Sequence, residues 1–170
     1  MSEVSRARST RFVSAESKRG RSEPNQSLDP QYVVGFVDGE GCFCVSVSKH
    51  KTLKRRLDVR PEFEIEVRAD DRPILERIQT TLGCGNIYYL NLDRYGWKSH
   101  AKYKVTNLKD FQEHIIPFFS RYELQAKKRK SFQIFRTVVE MVARKEHLTY
   151  AGFQKILKLR KQMNSYKNIG

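Results

Sequence analysis

Residues 29–43 constrain the fold more than any other part of the chain. Asp29 can cap the first turn of a helix, and Pro30 suits the first helical position. An apolar run follows and stops at Gly39 and Gly41, after which apolar and polar residues alternate as they do in a strand. The segment therefore predicts a short buried helix that ends in glycines and passes directly into a half-buried strand.

Two features of this helix point to a function. Gly35 and Gly39 are four residues apart and so lie on one helix face, where the backbone of a second helix could approach closely. Glu40 stands between two glycines just past the helix end, which is a poor position for a core residue and a good one for a metal-binding carboxylate. A solvated glutamate behind a glycine cap is the alternative explanation of the same pattern.

Residues 33–41 read Val-Val-Gly-Phe-Val-Asp-Gly-Glu-Gly, and residues 32–43 resemble the motif of the LAGLIDADG homing endonucleases. The match includes the first glycine, both acidic positions, the closing glycine and the strand that follows. Two valines replace Leu-Ala, and Glu40 replaces the second aspartate with a longer carboxylate arm. Looser matches continue as far as residues 147–156, so the resemblance covers most of residues 28–164.

The rest of the chain alternates between strand and helix patterns. Strands are predicted at 43–47, about 57–67, 86–90 and about 100–106, and helices at 72–82, 108–119, about 127–143 and beyond Thr149. Asp70 or Asp71 can cap the first of these helices, and Thr149 the last. This order predicts an α+β fold. The resemblance implies an αββαββα arrangement, with a curved antiparallel four-stranded sheet as a DNA-binding saddle and helices on its other face.

Composition narrows the class of partner. Among 170 residues, 33 Lys and Arg stand against 19 Asp and Glu, which gives a formal charge of +14 and a pI of about 9.9. Such an excess points to nucleic acid or an anionic membrane surface. No apolar run approaches a membrane span, and no basic amphipathic helix displays Trp and Phe, which argues against a membrane partner. We expect a disordered basic arm over residues 1–27 and a single domain over 28–165.

The cysteine pattern indicates the compartment. Cys42, Cys44 and Cys84 include no C-x-x-C pair, and the four histidines are scattered, which argues against a structural zinc site. We expect reduced thiols and an intracellular reducing compartment, either a bacterial cytoplasm or an organelle matrix or stroma. The Ser- and Arg-rich N-terminus faintly resembles a transit peptide, but its three glutamates argue against one.

The polar faces of the four strands carry a mixed set of Ser, Asn, Glu, Arg, Lys and Tyr. Arg or Lys can bind guanine and Glu can accept from cytosine, so this mixture suits readout of base edges in a major groove. An ordinary solvated sheet face is the alternative, and the basic hairpin loop predicted at 49–56 favours the nucleic acid. The candidate DNA-binding residues are Cys44, Ser46, Ser48, His50, Lys51, Lys54, Arg55, Arg60, Glu62, Glu64, Glu66, Asn86, Tyr88, Lys102 and Lys104.

Catalytic roles follow from the resemblance. It implies that Glu40 holds a metal, with the backbone carbonyl of Gly39 as a further ligand. A basic residue near the start of the penultimate helix approaches the scissile phosphate in this family, and the matching position is Lys127, with Lys128 next. The polar residue that orients active-site water matches Arg68. The helix interface of a dimer would comprise Val34, Gly35, Asp38 and Gly39, with Asp38 mainly structural.

Phosphodiester hydrolysis needs a metal that polarises the phosphate, and a carboxylate is the natural ligand of Mg²⁺. One motif supplies one such carboxylate, so a symmetric dimer is needed to cut both strands. The sequence predicts a Mg²⁺-dependent homing endonuclease, encoded in an intron, that cleaves a long pseudo-palindromic duplex as a homodimer. Ca²⁺ would substitute without cleavage, and Mn²⁺ could replace Mg²⁺. The alternatives are an RNA maturase, with intron RNA as a partner, and a non-catalytic DNA-binding regulator.

Overall fold

The computed structural model describes residues 26–49, 57–91, 96 and 98–164. Most of the predicted arm, 1–25, and most of the predicted hairpin loop, 50–56, lie outside the described residues. The division of the chain into an arm and a domain therefore stays a prediction.

The described elements follow the predicted order closely. They are α1 (Pro30–Glu40), β1 (Gly41–Lys49), β2 (Leu57–Arg68), α2 (Arg72–Leu82), β3 (Asn86–Leu90), β4 (His100–Val105), α3 (Leu108–Asp110), α4 (Ile116–Arg121), α5 (Lys128–Ala143) and α6 (Tyr150–Asn164). A π-helical turn, Phe111–Ile115, joins α3 to α4. This wider turn ends two residues before Pro117, which has no N–H to donate to an earlier carbonyl.

The four strands form one antiparallel sheet in the order β1-β2-β4-β3. The full length of β1 pairs with β2, from Gly41 opposite Ile65 to Lys49 opposite Leu57. β4 pairs with the second half of β2, where Val105 lies opposite Phe63. The predicted α+β class and the antiparallel four-stranded sheet are therefore confirmed.

Two of the three predicted helix caps are present. Asp29 Oδ1 accepts hydrogen bonds from the amides of Gln31 and Tyr32, at 2.8 and 3.4 Å, and Thr149 Oγ1 accepts from Gly152 N at 3.0 Å. The capping prediction for α2 was wrong. Asp71 occupies the N-cap position without a side-chain cap bond, and the Asp70 carboxylate is bound by an arginine instead.

The core lies between the inner face of the sheet and the helices. Its centre is a group of packed rings in which Phe43 of β1 stacks on Phe63 of β2, with ring centroids 4.6 Å apart. Phe119, Phe132 and Phe135 from the helices also contact Phe43. A second cluster packs α5 and α6 under the other half of the β1–β2 pair, around Val45, Val59, Ile134, Val138, Met141 and Ile156. Burial of both clusters holds the helices on one side of the sheet and leaves the other side exposed.

Among the described residues, no helix combines the length and the apolar composition that a bilayer-spanning segment requires.

Candidate active site and nucleic-acid interface

The junction between α1 and β1 is shaped by Gly41. Its amide bonds to Val37 O and ends the helix, and a Cβ at this position would lie 2.7 Å from Val37 Cγ1. Only glycine therefore allows the chain to pass so closely against the last helical turn. The preceding residue, Glu40, is exposed. The closing glycine of the motif thus places a carboxylate in solvent at the point where a buried helix meets the sheet.

Two side chains connect this junction to the start of α5. Asp38 Oδ2 accepts hydrogen bonds from Gln125 N at 2.8 Å and Ala126 N at 3.3 Å, so the first acid of the motif joins α1 to the segment before α5. Lys128 Nζ donates to the carbonyl oxygens of Gly39, at 3.4 Å, and of Gly41. An ammonium group therefore lies between the two carbonyls that flank Glu40.

The lysine that bonds to the motif carbonyls is Lys128, the neighbour of the predicted Lys127. The sequence predicted Lys127 at the scissile phosphate and noted Lys128 only as its neighbour. In the structure Lys127 is exposed at the N-cap position of α5, and the hydrogen bonds to the glycine carbonyls come from Lys128. The position of the helix start decides which lysine turns towards α1, and a sequence pattern sets such a boundary only to within a residue or two.

The groups around Glu40 are of the kind that bind a hard cation. A single chain supplies too few of them to complete a metal site. In the described part of the chain, no cationic side chain pairs with Glu40, and no group of three His, Cys, Asp or Glu residues is arranged so that it could hold a metal ion. The nearby donors are the Glu40 carboxylate and the Gly39 carbonyl, which still has a lone pair beside the bond from Lys128. These donors fit Mg²⁺, which keeps several waters and binds through one or two carboxylates together with phosphate oxygens.

One face of α1 is open. A Cβ built at Gly35 or Gly39 would meet no atom of this chain within 4 Å, and the Tyr32 side chain is 50% exposed. The inclusion of Val34 in the predicted interface was wrong, because Val34 is 2% exposed and belongs to the core of its own chain. Asp38 is half-buried and bonded to the segment before α5. The surface available to a second helix is therefore formed by the two glycines and Tyr32.

Arg68 lies at the last residue of β2, at the same end of the sheet as the α1–β1 junction. Gly41 pairs with Ile65, and Arg68 is three residues further along the strand. Its guanidinium group donates two hydrogen bonds to Asp70, at 3.2 and 2.7 Å. Arg68 therefore lies at the end of the sheet where the active site was predicted. Its guanidinium group is hydrogen-bonded to Asp70.

The outer face of the sheet carries alternating acids and bases on neighbouring strands, which we call the Glu–Lys ladder: Glu62, Glu64 and Glu66 of β2 with Lys102 and Lys104 of β4. Lys102 Nζ lies 2.9 Å from Glu66 and 3.4 Å from Glu64, and Lys104 Nζ lies 3.2 Å from Glu62 and 3.9 Å from Glu64. The predicted DNA-binding residues of β2 and β4 therefore share one face and bind one another.

His100 extends the ladder and was missed by the sequence prediction. Its Nδ1 lies 2.8 Å from Glu66 Oε1. Burial alone would raise the pKa of Glu66, but hydrogen bonds from Lys102 and His100 outweigh it and hold that pKa below its ordinary value. Burial opposes the charge on Lys102, yet its bonds to the glutamates raise its pKa. The two-residue spacing of His100, Lys102 and Lys104 was the signal that could have identified the histidine.

The remaining predicted contacts lie around the ladder. Cys44 donates to Glu62 O at 3.5 Å, and its hydrogen bond with Cys42, together with burial, holds the pKa of the Cys44 thiol far above its usual range. Arg60 is paired with Asp58 at 2.6 Å. Ser46 and Ser48 share the Cys44 side of β1, and Asn86 and Tyr88 are exposed on β3. The predicted contacts His50, Lys51, Lys54 and Arg55 lie outside the described residues.

Comparison with known proteins identifies the class. The family model described as LAGLIDADG endonuclease matches residues 33–139. A crystal structure of the homing endonuclease I-TnaI superposes with a TM-score of 0.74 at 35% identity, over 82% of this chain and 90% of that chain. I-SmaMI, bound to uncleaved DNA target in the presence of calcium ions, superposes with a TM-score of 0.75 at 33% identity, over 82% of this chain and 46% of that one. The chain therefore belongs to the LAGLIDADG endonuclease family.

The relatives differ from this chain in length. A Neurospora crassa protein described as a probable intron-encoded endonuclease is 30% identical over 137 residues, which are 81% of this chain and 29% of the relative. The chain thus spans less than a third of that fungal protein, about half of I-SmaMI and nearly all of I-TnaI.

Proposed function

We propose that this protein is a homing endonuclease that hydrolyses both strands of a double-stranded DNA target in a metal-dependent reaction, as a homodimer. The observation that carries the proposal is the α1–β1 junction. An exposed carboxylate, Glu40, stands between two glycine carbonyls that Lys128 bridges, at the end of a helix whose glycine face is open. A protein that only binds DNA has no need of a carboxylate next to phosphate, where it is repulsive.

Glu40 and the carbonyl of Gly39 would hold the metal. A bound Mg²⁺ supplies polarisation of the phosphate and a lowered pKa for the attacking water. Lys128 stabilises negative charge that develops on the phosphate, because its ammonium group is already fixed at the junction by two carbonyls. Arg68 would orient water after releasing part of its bond to Asp70. Ca²⁺ is proposed to support binding without cleavage, in keeping with the uncleaved DNA target to which I-SmaMI is bound in the presence of calcium ions, and Mn²⁺ to replace Mg²⁺.

The dimer is supported by the surface that α1 leaves open. The open face at Gly35 and Gly39 lets two α1 helices approach with backbone contact, which would bring two Glu40 side chains to one axis. A two-fold dimer reads two related half-sites, from which we propose a pseudo-palindromic target.

The outer sheet face is proposed to read the major groove. Its lysines can bind guanine and its glutamates can accept from cytosine N4 once DNA replaces the contacts within the ladder. The Neurospora crassa relative is described as intron-encoded, and we propose an intron setting for this chain as well. The proposed compartment is one that keeps thiols reduced, a bacterial cytoplasm or an organelle matrix or stroma.

The test is cleavage of a plasmid library with a randomised insert in Mg²⁺, followed by adaptor ligation to the new ends and sequencing. We expect a defined site with related halves and double-strand ends, no cleavage in Ca²⁺, and a dimer by sedimentation with the recovered duplex. Recovery of bound but intact DNA in Mg²⁺ would favour the DNA-binding regulator instead.

A further inference from the structure

The register of β2 against β4 arranges the Glu–Lys ladder in rows that cross the sheet. Glu64 lies directly opposite Lys104, and Glu66 lies directly opposite Lys102. The lysine nitrogen is 3.9 Å from the carboxylate in the first row and 2.9 Å in the second. Both glutamates belong to β2 and both lysines to β4. Each row therefore sets one hydrogen-bond acceptor beside one cationic donor, in the same order across the sheet.

The flanking strands complete the Glu64–Lys104 row. Cys42 of β1 lies opposite Glu64, and Asn86 of β3 lies opposite Lys104. Across the four strands this row reads Cys, Glu, Lys and Asn, with one acid and one base next to each other at its centre. The charged part of the row is therefore a single donor–acceptor unit two strands wide.

A carboxylate on a surface that meets DNA needs a hydrogen-bond donor from the DNA, because it otherwise faces the negative charge of phosphate. In the major groove the donors are the amino groups of cytosine and adenine. The lysine beside the carboxylate selects between these two bases. Guanine offers two acceptors, N7 and O6, beside the cytosine amino group, whereas thymine offers only O4 and a methyl group beside the adenine amino group. The row therefore fits a G·C pair, with lysine on guanine and glutamate on cytosine.

The spacing of the rows decides which base pairs they meet. Residues two apart on one face of a strand are separated by about 6.6 Å, and two base-pair steps of a duplex span about 6.8 Å. Neighbouring strands are about 4.8 Å apart, so two strands fit side by side in a major groove that is about 12 Å wide. On strands that run along the groove, the two rows therefore meet base pairs that are separated by one other pair.

The ion pairs within the ladder do not prevent this exchange of partners. The side chains of the two rows keep between 23% and 37% of their surface exposed. Ion pairs in such positions contribute little to stability, because water and salt screen them. They also hold the long side chains next to each other before DNA arrives, which reduces the entropy lost on binding.

We propose that each row reads one G·C base pair as a unit, so that each half of the target contains the sequence GNG on one strand. The two guanines face β4, and their cytosines face β2. The proposal rests on the proposed binding of duplex DNA by the sheet, and it adds the base pairs that the ladder selects.

The same geometry ranks the four base pairs at each position, with the base that faces the lysine written first. G·C satisfies both side chains, and T·A keeps an amino group near the glutamate. A·T places the O4 acceptor of thymine against the glutamate, and C·G opposes both side chains, with an amino group against the lysine and acceptors against the glutamate. We expect the affinity to fall in that order.

The test recovers binding sites from a duplex library with a randomised insert, with the full chain in Ca²⁺, so that binding is measured without cleavage. Recovered sites should contain GNG in each half. Anisotropy with single base-pair variants of the recovered site should show an affinity that falls about tenfold to a hundredfold from G·C to C·G at either position. Salt bridges that only stabilise a solvated sheet would give no such preference.

A charge swap within one row is the sharpest variant. Glu64→Lys with Lys104→Glu keeps the net charge and the opposite charges of the row, but it exchanges donor and acceptor. It should change the preference at one position from G·C to C·G, by about tenfold, and leave the other position unchanged. The matched control is Arg136→Glu with Glu140→Arg, which swaps an exposed ion pair of α5 and should change neither position.

The second row supplies an independent variant for the case in which the first swap prevents folding. Glu66→Lys with Lys102→Glu should reverse the preference at the other position alone. Recovered duplex without GNG, or folded swaps that still prefer G·C, would overturn the ladder assignment and leave the proposed nuclease standing. Sites that contain GNG but stay intact in Mg²⁺ would support the ladder assignment and overturn the nuclease. A library from which no duplex is enriched would overturn both.

Discussion

The α1–β1 junction and the outer face of the sheet both display carboxylates, but the two regions differ in whether a cationic side chain is paired with these carboxylates. Every glutamate of the Glu–Lys ladder has a lysine within 4 Å, and Glu66 also bonds to His100. Glu40 has no cationic side chain paired with it in the described part of the chain. Lys128 donates instead to the carbonyls of Gly39 and Gly41, on either side of Glu40.

We propose that this difference separates the residues that recognise DNA from those that cleave it. A paired carboxylate on a sheet face costs little to maintain and can exchange its lysine for a base edge. An unpaired carboxylate beside a fixed ammonium group keeps its negative charge available for a divalent cation. We therefore expect substitutions in the ladder to change which DNA is bound, and substitutions at the junction to change whether DNA is cut.

The largest expected effect comes from Glu40→Gln, with Glu64→Gln as its matched control. Loss of the charge at position 40 should reduce Mg²⁺-dependent cleavage on the order of 10³-fold, because the metal loses its carboxylate. The stability of an exposed residue should change by no more than about 0.5 kcal/mol. DNA binding in Ca²⁺ should persist or tighten, since a carboxylate next to phosphate is repulsive without a cation.

Glu64→Gln should leave the cleavage rate at saturation near wild type and alter the relative affinity for single-base variants of the target by about 1–3 kcal/mol at the affected position. If both variants lost cleavage equally, or if Glu40→Gln cut at the wild-type rate, the division between the two regions would be wrong.

The next effect distinguishes the two lysines. Lys128→Met should slow cleavage on the order of 10²-fold without abolishing metal binding, because it removes a fixed charge near the phosphate. Lys127→Met is the matched control and should have a much smaller effect, since the glycine carbonyls are bridged by Lys128. Single-turnover cleavage rates at saturating Mg²⁺ measure both. If Lys127→Met slowed cleavage more than Lys128→Met, the role at the phosphate would belong to Lys127, as the sequence first indicated.

Gly35→Ala tests whether two copies of α1 pack against each other in the active protein. In the single chain the added methyl group meets nothing within 4 Å, and alanine should stabilise the helix by about 0.5–1 kcal/mol. Between two helices the same group would prevent close approach. We expect a higher melting temperature at low protein concentration, with weaker self-association by sedimentation and less cleavage.

Gln133→Ala, at an exposed position on α5, is the control for a general gain in helix stability. A Gly35→Ala protein that associates and cuts like wild type would remove α1 from the interface.

The sequence was most informative where local chemistry determines the structure. Asp29, the glycines and the strand alternation predicted α1, β1 and the exposure of Glu40 because caps, glycine stops and two-residue periodicity act over a few residues. Contacts between distant segments were harder to predict. The bond from Lys128 to the carbonyls of Gly39 and Gly41 joins residues almost ninety positions apart and depends on where α5 begins.

The burial of Val34 was missed for a related reason. Helical spacing places Val34 near Gly35 on the helix surface, but only the packing of the sheet decides which side faces inwards. The salt bridges of the ladder likewise depend on the register of β2 against β4, which places Glu66 opposite Lys102. Strand periodicity identified the residues on the outer face, whereas their pairing required the register.

The smallest expected effect is the pH dependence that the ladder gives to stability. The pKa of Glu66 is below its ordinary value in the folded chain, so its contribution is present above the unfolded pKa and is lost as pH falls through the folded one. The pKa of Lys102 is raised, so its contribution is present below the unfolded pKa and is lost as pH rises through the folded one. The pair should therefore stabilise the fold across the neutral range, by about 0.2–1 kcal/mol because both groups are partly exposed and screened.

Urea unfolding of Glu66→Gln should show this loss at neutral pH and converge with wild type in acid, whereas Glu40→Gln should follow wild type throughout. A difference that persists unchanged into acid would mean that Glu66 stabilises the sheet through packing and not through its charge.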